Sequence, residues 1–449
     1  MFLGRTRELD VLAELAASPR PELFVLYGRR RVGKTELLQQ FCRGRRAVYF
    51  LAAQVREKDN LRAFRDALVE GLNDPLAANV DFPDWGAALS FAAERAREER
   101  LVLVLDEFPY LCEATKGLPS IVQRFWDTRA KASQLMLVLC GSQVSFMESE
   151  VLAETSPLFG RRTGQRRLEP LRPPDALRFF DAWPLRERVL GYAILGGMPA
   201  YLRRFDPARS LRENCWREVL RPEGYLFDEV NFLLRAELTS PATYNSILAA
   251  VARGAEKLGD VALTVGVDSP TANKYLTTLR ELQLVEREVP LTDPDPLRSR
   301  RGTYRVADRF LAFHFRHVQP NAALIQSGRG QAVWERAVEP DLPRLHADAL
   351  VDCAIDHLRT SSAELVGDEV VDTARNSGAL VRAVARTSSG LGVAAALVPH
   401  GSLGLPGLAA ELAALKPALG SRLITLVYRV AERGDEPLLV ERLPEGVLK

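Results

Sequence analysis

The stretch Leu23-Phe-Val-Leu-Tyr27-Gly28-Arg-Arg-Arg-Val-Gly33-Lys34-Thr35, with the segment TELLQQF running on from Thr35, decides the fold. Its centre fits the spacing GxxxxGK[ST], with an apolar run before it and a helical pattern after it. A chance glycine-rich turn would lack both flanks. In this setting the glycines let backbone N–H groups curl around phosphates, and the helix N-terminus adds the positive end of its dipole. Lys34 would reach the β- and γ-phosphates, and the Thr35 hydroxyl would ligate Mg2+. Gly28, Arg29, Arg30, Arg31, Val32, Gly33, Lys34, Thr35 and Glu36 are thus expected to hold ATP, with Mg2+ as its companion ion.

Outward from this loop, the second half of such a site should be a strand ending in an acid. Leu101-Val-Leu-Val-Leu-Asp106-Glu107 supplies one. Asp106 would hold the Mg2+ through water, and Glu107 would orient or deprotonate the attacking water. Two carboxylates closing a hydrophobic strand are costly unless a cation or a polar network awaits them, the plain alternative being an exposed loop pair. Leu23–Tyr27, Ala47–Leu51, Leu101–Leu105 and Leu135–Leu139 are apolar without alternation, as buried parallel strands are, and helical patterns separate them. That is a βαβ succession and an α/β fold with a P-loop NTPase parallel sheet. Ala47–Leu51 separates the two motifs in sequence, an arrangement resembling the P-loop division with an inserted strand and a catalytic glutamate.

Two further positions follow from the same frame. The run Leu135–Cys140 leads to Gly141-Ser142-Gln143, where either polar residue could sense the γ-phosphate; a helix N-cap is the other reading of Ser142. Arg161, or Arg162 beside it, precedes an expected fifth strand, Arg167–Leu171, and could act as an arginine finger; a solvated surface arginine is the alternative.

Composition bounds the rest. At roughly 150 residues per domain, 449 residues suggest about three domains. With 60 basic and 58 acidic residues the net charge is +2, which excludes a surface coated in positive potential but not a local patch. Nearly all the positive charge is arginine, so each lysine is informative. Five scattered cysteines without a CxxC pair argue against a disulfide framework or structural zinc. The charged start MFLGRTRELD is no signal peptide, and no apolar run approaches the ~20 residues of a membrane helix, so a cytoplasmic protein without membrane contact is expected.

With these motifs in place, the chain resembles the archaeal-type P-loop ATPases of the STAND/AAA+ group, those with a winged helix and a nuclease-like, PD-(D/E)xK-type C-terminal domain. The likeness runs through Phe2-Leu-Gly4-Arg5-Thr-Arg-Glu8-Leu9, the P-loop, Tyr49-Phe-Leu-Ala-Ala-Gln54, Asn60-Leu61 and Trp85. It continues through Asp106-Glu107-Phe-Pro-Tyr-Leu, Cys140-Gly-Ser142, Pro157-Leu-Phe-Gly-Arg161 and Leu195-Gly-Gly-Met-Pro199-Ala-Tyr201. The resemblance implies that Gly4 and Arg5 lie near the adenine and that Pro199 belongs to a lid motif packed near the nucleotide. It implies catalytic roles for Lys34, Glu107, Ser142 and Arg161, and a metal site at Thr35 and Asp106.

The domains are then expected as an ATPase core over 1–170, a helical lid over 171–238, a winged helix over 239–319 and a nuclease-like α/β domain over 320–449. Asp260–Glu288 reads as a helix-turn-helix. In it Ser269-Pro270 marks a helix start, and Ala272, Tyr275, Leu276 and Leu279 form one buried face. Arg298, Arg300, Arg301 and Arg305 would form the wing. With Lys274 they are the candidate DNA contacts, although one lysine on the helix is thin support and packing inside the protein is the other reading. His314 and His317 lie three apart, which allows a metal pair, but the surrounding Phe310, Phe313 and Phe315 favour core packing.

Relatives in the resembled family carry an acid-x-Asp pair and a Glu-x-Lys in the C-terminal domain. Here Asp368, Glu369 and Asp372 are shifted in spacing, and Lys274 and Lys416 have no lysine between them. A nuclease fold without catalysis, kept for assembly or a protein partner, is expected. The whole reads as an ATP-hydrolysing switch in which Mg-ATP turnover rearranges or assembles the other domains. The alternative is an ATP-controlled DNA-binding or DNA-processing protein, a regulator or an active Mg2+-dependent nuclease.

Overall fold

The computed structural model describes residues 2–74, 78–238, 241–291, 293, 295, 298–299, 301–399, 405–419, 423–430 and 439–442. They divide into two units, Met1–Pro170 and Leu171–Lys449.

The first unit is built on a five-stranded sheet. Its strands are β1 (Glu22–Tyr27), β2 (Ala47–Leu51), β3 (Leu101–Asp106), β4 (Leu135–Gly141) and β5 (Gly164–Arg167), in the order β2-β3-β4-β1-β5. Every neighbouring pair is parallel. The residues of β1, β3 and β4 are buried throughout, which is why their sequences are apolar without a period of two. Helices α1 (Thr6–Ala17), α2 (Lys34–Cys42), α3 (Glu57–Leu72), α4 (Trp85–Arg95), α5 (Phe108–Ala114) and α6 (Leu118–Thr128) accompany the strands. One core joins Leu23, Phe50, Phe64, Trp85, Leu103, Phe125 and Leu137. Within it Phe64 meets Phe50 and Trp85 edge-on, at 5.5 and 5.4 Å between ring centres.

Strand β4 lies between β1 and β3, so the ends of the three central strands present the loop after Tyr27, the acid Asp106 and the Gly141-Ser142 turn side by side. Ligands of open parallel sheets bind at these carboxyl ends. Strand β5 falls at Gly164–Arg167 rather than at Arg167–Leu171. It is an edge strand paired only to β1, so it needs no apolar run, while Leu168 and Leu171 are buried beyond its end.

The second unit begins with short helices, among them Leu185–Leu195, Pro199–Leu202 and Leu211–Glu218. Three helices follow, Pro241–Ala252, Leu258–Val265 and Ser269–Glu281, and then an antiparallel pair, β6 (Val285–Glu288) and β7 (Thr303–Val306). The third helix is capped one residue earlier than the sequence suggests: the Asp268 carboxylate, not Ser269, accepts from the Thr271 N–H at 2.8 Å.

After the long helix Leu342–Val366 comes a second sheet of β8 (Val370–Arg375), β9 (Val381–Thr387), β10 (Gly392–Pro399), β11 (Leu423–Val430) and β12 (Leu439–Arg442). Its order is β12-β11-β10-β9-β8; β10 and β11 run parallel and the other pairs antiparallel. Alternate residues of β10 face two different cores. Ala394 and Ala396 pack with Leu408 and Leu412 of the helix Leu405–Leu419, and Val393 and Ala395 with Ala354 and Leu358 of the long helix.

His314 and His317 are buried among aromatic rings, 5.4 Å from Phe315 and 5.0 Å from Phe313. His317 shares a 2.9 Å hydrogen bond with Asp341. Among the described residues no three His, Cys, Asp or Glu side chains gather as a metal-binding group, and no helix is long and apolar enough to cross a membrane.

Candidate nucleotide site

The loop between β1 and α2 takes its shape from its two glycines. A Cβ on Gly28 would stand 2.5 Å from the Leu168 carbonyl oxygen, so the close approach of this turn to the chain beyond β5 requires glycine. Gly33, at φ 94°, is in the left-handed region and caps α2. Lys34 begins that helix and is buried; its Nζ donates to the carbonyls of Gly28 at 2.8 Å and Arg29 at 3.1 Å. The ammonium therefore sits inside the curl of its own loop.

Arg5 braces the loop from outside. Its buried guanidinium donates to the carbonyls of Val32 at 3.0 Å and Glu169 at 2.8 Å, just after Gly4, which is at φ 69°. Arg30 donates to the Tyr110 hydroxyl at 3.2 Å, linking the loop to α5. Arg29 and Val32 are buried, Arg31 is exposed at φ 71°, and Glu36 lies in the first turn of α2, where an acid suits the helix dipole.

The acids at the end of β3 are fully engaged. Asp106 is buried; its Oδ2 accepts from the Thr35 hydroxyl at 2.8 Å and from the Tyr49 hydroxyl, and its Oδ1 accepts from the Glu107 N–H at 2.9 Å. Burial, and then the charge of Asp106, hold the Tyr49 phenol well above its ordinary value, so it is the donor of that bond. Thr35 and Asp106 offer hard oxygens within one hydrogen bond of each other. That donor set fits Mg2+, which takes few protein ligands and keeps waters and phosphate oxygens.

Glu107 caps α5 at φ 56°, a left-handed conformation that costs a non-glycine residue of order 1 kcal/mol and is concentrated at functional sites. Its Oε2 accepts from the Ser142 hydroxyl at 2.8 Å and the Ser142 N–H at 3.3 Å. Ser142 thus spends its hydroxyl on Glu107 rather than on capping the following helix, while Gln143 donates to Glu113 at 3.3 Å.

Arg161 is placed differently. Its guanidinium grips Asp127 at 2.8 to 3.1 Å and donates to the carbonyls of Pro157 and Phe159. Arg162 donates to the Leu152 carbonyl at 2.9 Å. The structure therefore brings together Lys34, Thr35, Asp106, Glu107 and Ser142, and engages Arg161 with α6. Pro199 belongs to the second unit, buried at the first position of its helix.

Tyr49, Tyr110 and Asp127 carry contacts that the sequence reading assigned to no role. Tyr49 left one signal, a hydroxyl in the otherwise apolar strand AVYFL. Of the candidate DNA contacts, Lys274 and Arg298 are exposed, and the Arg301 N–H donates to the Ser299 hydroxyl at 3.0 Å. Arg300 lies outside the described residues.

A family model described as an ATPase domain predominantly from Archaea matches residues 2–205. An uncharacterized protein of Methanocaldococcus jannaschii is 32% identical over 330 residues, 73% of this chain and 71% of its own length. An uncharacterized ATP-binding protein of the same organism is 46% identical over 41 residues, 9% of this chain and 70% of its own. Among solved structures, a Walker-type ATPase of Pyrococcus abyssi shares the fold at a TM-score of 0.51 and 21% identity, over 70% of this chain and 95% of its own. The P-loop, the parallel sheet and these likenesses agree: the chain belongs to the family of archaeal-type ATPases.

Proposed function

We propose that the protein is an ATP-hydrolysing molecular switch in which Mg-ATP turnover at the first unit drives rearrangement or assembly of the second. The observation that carries this reading is the joined set Thr35–Asp106–Glu107–Ser142 beside a P-loop lysine. Bound Mg2+ would neutralise charge developing on the transferred phosphoryl group. The chain's own residues do the rest: the loop N–H groups cradle phosphate, Lys34 adds a cation, Thr35 and Asp106 hold the ion, and Glu107 accepts a proton from water. Arg161 remains a candidate finger through exchange of Asp127 for a phosphate, and Pro199 a candidate lid residue.

In the second unit, the order of helix, three-stranded meander, helix and parallel strand over Leu342–Val430 supports a nuclease-like fold. Its strands β9 (VRAVART) and β10 (GVAAALVP) carry no carboxylate and no lysine. Asp368 accepts from Ser388 and Ser389 in a turn, which supports a structural duty for that acid. Strands without these groups and an Asp368 engaged in a turn support an assembly role over hydrolysis of a phosphodiester.

Internal packing is also the better reading of the three-helix segment and its hairpin. Arg305 of β7 pairs with Glu286 and Glu288 and approaches Asp352 at 4.0 Å, so this arginine faces the protein rather than DNA. Titration with a fluorescent ATP analogue and a phosphate-release assay test the proposal. Lys34→Ala should lose binding, and Glu107→Gln should bind without turnover. Unchanged binding in Lys34→Ala, or unchanged turnover in Glu107→Gln, would sink it. A salt-dependent gel shift, with and without ATP, tests the DNA alternative.

A further inference from the structure

The Asp106 carboxylate accepts from Thr35, Tyr49 and the Glu107 N–H, with the buried Cys140 thiol as a further side-chain partner, and two of these bonds end on the same oxygen. Thr35 and Tyr49 both donate to Oδ2, and the Glu107 N–H donates to Oδ1. Thr35 belongs to the phosphate loop and the Glu107 N–H to the acid motif itself; Tyr49 comes from neither. It arrives from β2, whose register sets Tyr49 opposite Val104 and Leu51 opposite Asp106. The edge strand therefore reaches into the site with a single hydroxyl.

A threonine hydroxyl has one proton. When Thr35 gives it to Asp106, its lone pairs are left to face a cation, and the Asp106 carboxylate must stay turned so that this bond persists while other lone pairs meet metal-bound water. A carboxylate at a strand end can rotate about its terminal torsion, which is broad and poorly fixed on its own. A second donor on Oδ2, mounted on the rigid strand β2, removes that freedom. Partners of metal-holding groups behave this way in general, and their loss typically weakens metal binding by about 10–100-fold.

We propose that Tyr49 is a positioning residue for the divalent cation, fixing the Asp106 carboxylate that Thr35 and the nucleotide's Mg2+ share. The proposal rests on the reading of this site as a Mg-ATP site. It assigns β2 a part in the chemistry, with no contact of its own to the nucleotide.

The test is the magnesium-dependent part of nucleotide affinity, measured on the full chain. A fluorescent, non-hydrolysable ATP analogue is titrated in EDTA and again in excess Mg2+, for wild type and for Tyr49→Phe, which deletes only the hydroxyl. Tyr49→Phe should bind the analogue in EDTA as wild type does, and its gain in affinity on adding Mg2+ should be smaller by about tenfold. Electron paramagnetic resonance with Mn2+ should show the same loss without any turnover. A gain equal to that of wild type would overturn the proposal. Failure of wild type to bind the analogue at all would instead overturn the ATP reading. Should Tyr49→Phe not fold, Tyr49→His carries the test: its ring N–H is displaced from the hydroxyl position, so a lower Mg2+ gain supports the proposal and an undiminished one refutes it.

Discussion

The Ser142 hydroxyl donates to the Glu107 carboxylate at 2.8 Å, joining the residue just after β4 to the acid just after β3. The two residues are 35 apart in sequence and meet because β4 pairs directly with β3. Glu107 is held in a left-handed backbone conformation and by this one side chain, so its carboxylate has a defined place. Ser142→Ala removes a hydrogen bond to a charged group, worth about 1.5–3 kcal/mol. If Glu107 acts on water, turnover should fall about tenfold or more with the affinity for ATP unchanged. Steady-state phosphate release and analogue binding separate the two quantities. A Ser142→Ala enzyme of wild-type turnover would show that the bond does not position the base.

Arg5 offers a second test, of loop support rather than chemistry. Its guanidinium is buried and satisfies the Val32 and Glu169 carbonyls together. Both carbonyls accept from one nitrogen, Nη2, which stands a bond farther along the side chain than a lysine ammonium reaches, so Arg5→Lys should behave almost as Arg5→Ala does. Each variant should lose about 2–3 kcal/mol of stability, measured by denaturant unfolding of the first unit. Nucleotide affinity should fall too, because Val32 lies within the phosphate loop. Normal affinity in a destabilised Arg5→Ala would leave Arg5 a purely structural brace.

These contacts show what the sequence exposes and what it hides. The central strands are legible because both faces of a parallel sheet are covered, so Leu23–Tyr27 of β1, Leu101–Leu105 of β3 and Leu135–Cys140 of β4 are unbroken apolar runs. The phosphate loop is legible because its glycines and lysine answer local geometry. Strand β5 is not, since an edge strand of Gly-Gln-Arg-Arg borrows its order from β1. Nor are the destinations of Tyr49 and Ser142, which depend on strand order across the sheet rather than on neighbours in the chain. Arg305 misleads for a related reason: an arginine in a hairpin reads as exposed until the acids around it, distant in sequence, are known.

The second unit contains a charge cluster whose removal has a definite sign. Asp352 on the long helix pairs with Arg309 and with Arg375 of β8, with Arg305 at 4.0 Å. Burial alone would raise its carboxyl, but the Arg309, Arg375 and Arg305 guanidinium groups overcome this and hold it well below the usual carboxylate range. Asp352→Ala strands these guanidinium groups in a partly closed interior. Removing one partner of a buried pair costs about 3–5 kcal/mol. Denaturant unfolding of the Asp352→Ala variant should report a loss of that size, and a loss below about 1 kcal/mol would show that water screens the cluster.

Buried histidines of the same unit make its stability depend on pH. Burial pushes the imidazoles of His314, His317 and His346 down to about 4, from an ordinary value of 6.5. Between those two values the unfolded chain binds protons that the folded chain does not, so stability falls as pH drops from 6.5 to 4 and rises as pH is restored. At full effect each such imidazole contributes on the order of 3 kcal/mol. The partly buried carboxyls Glu286 and Asp356 are shifted upward and act in the opposite sense, so the wild-type profile alone does not isolate the histidines. His314→Phe does isolate one. Its Nδ1 has no hydrogen-bond partner among the described residues, and its ring packs edge-on against Phe315, so an aromatic replacement keeps the packing and deletes the proton site. The melting temperature of His314→Phe should therefore fall less than that of wild type between pH 6.5 and pH 4. Parallel falls in the two proteins would mean that His314 takes up its proton in the folded state as readily as in the unfolded one.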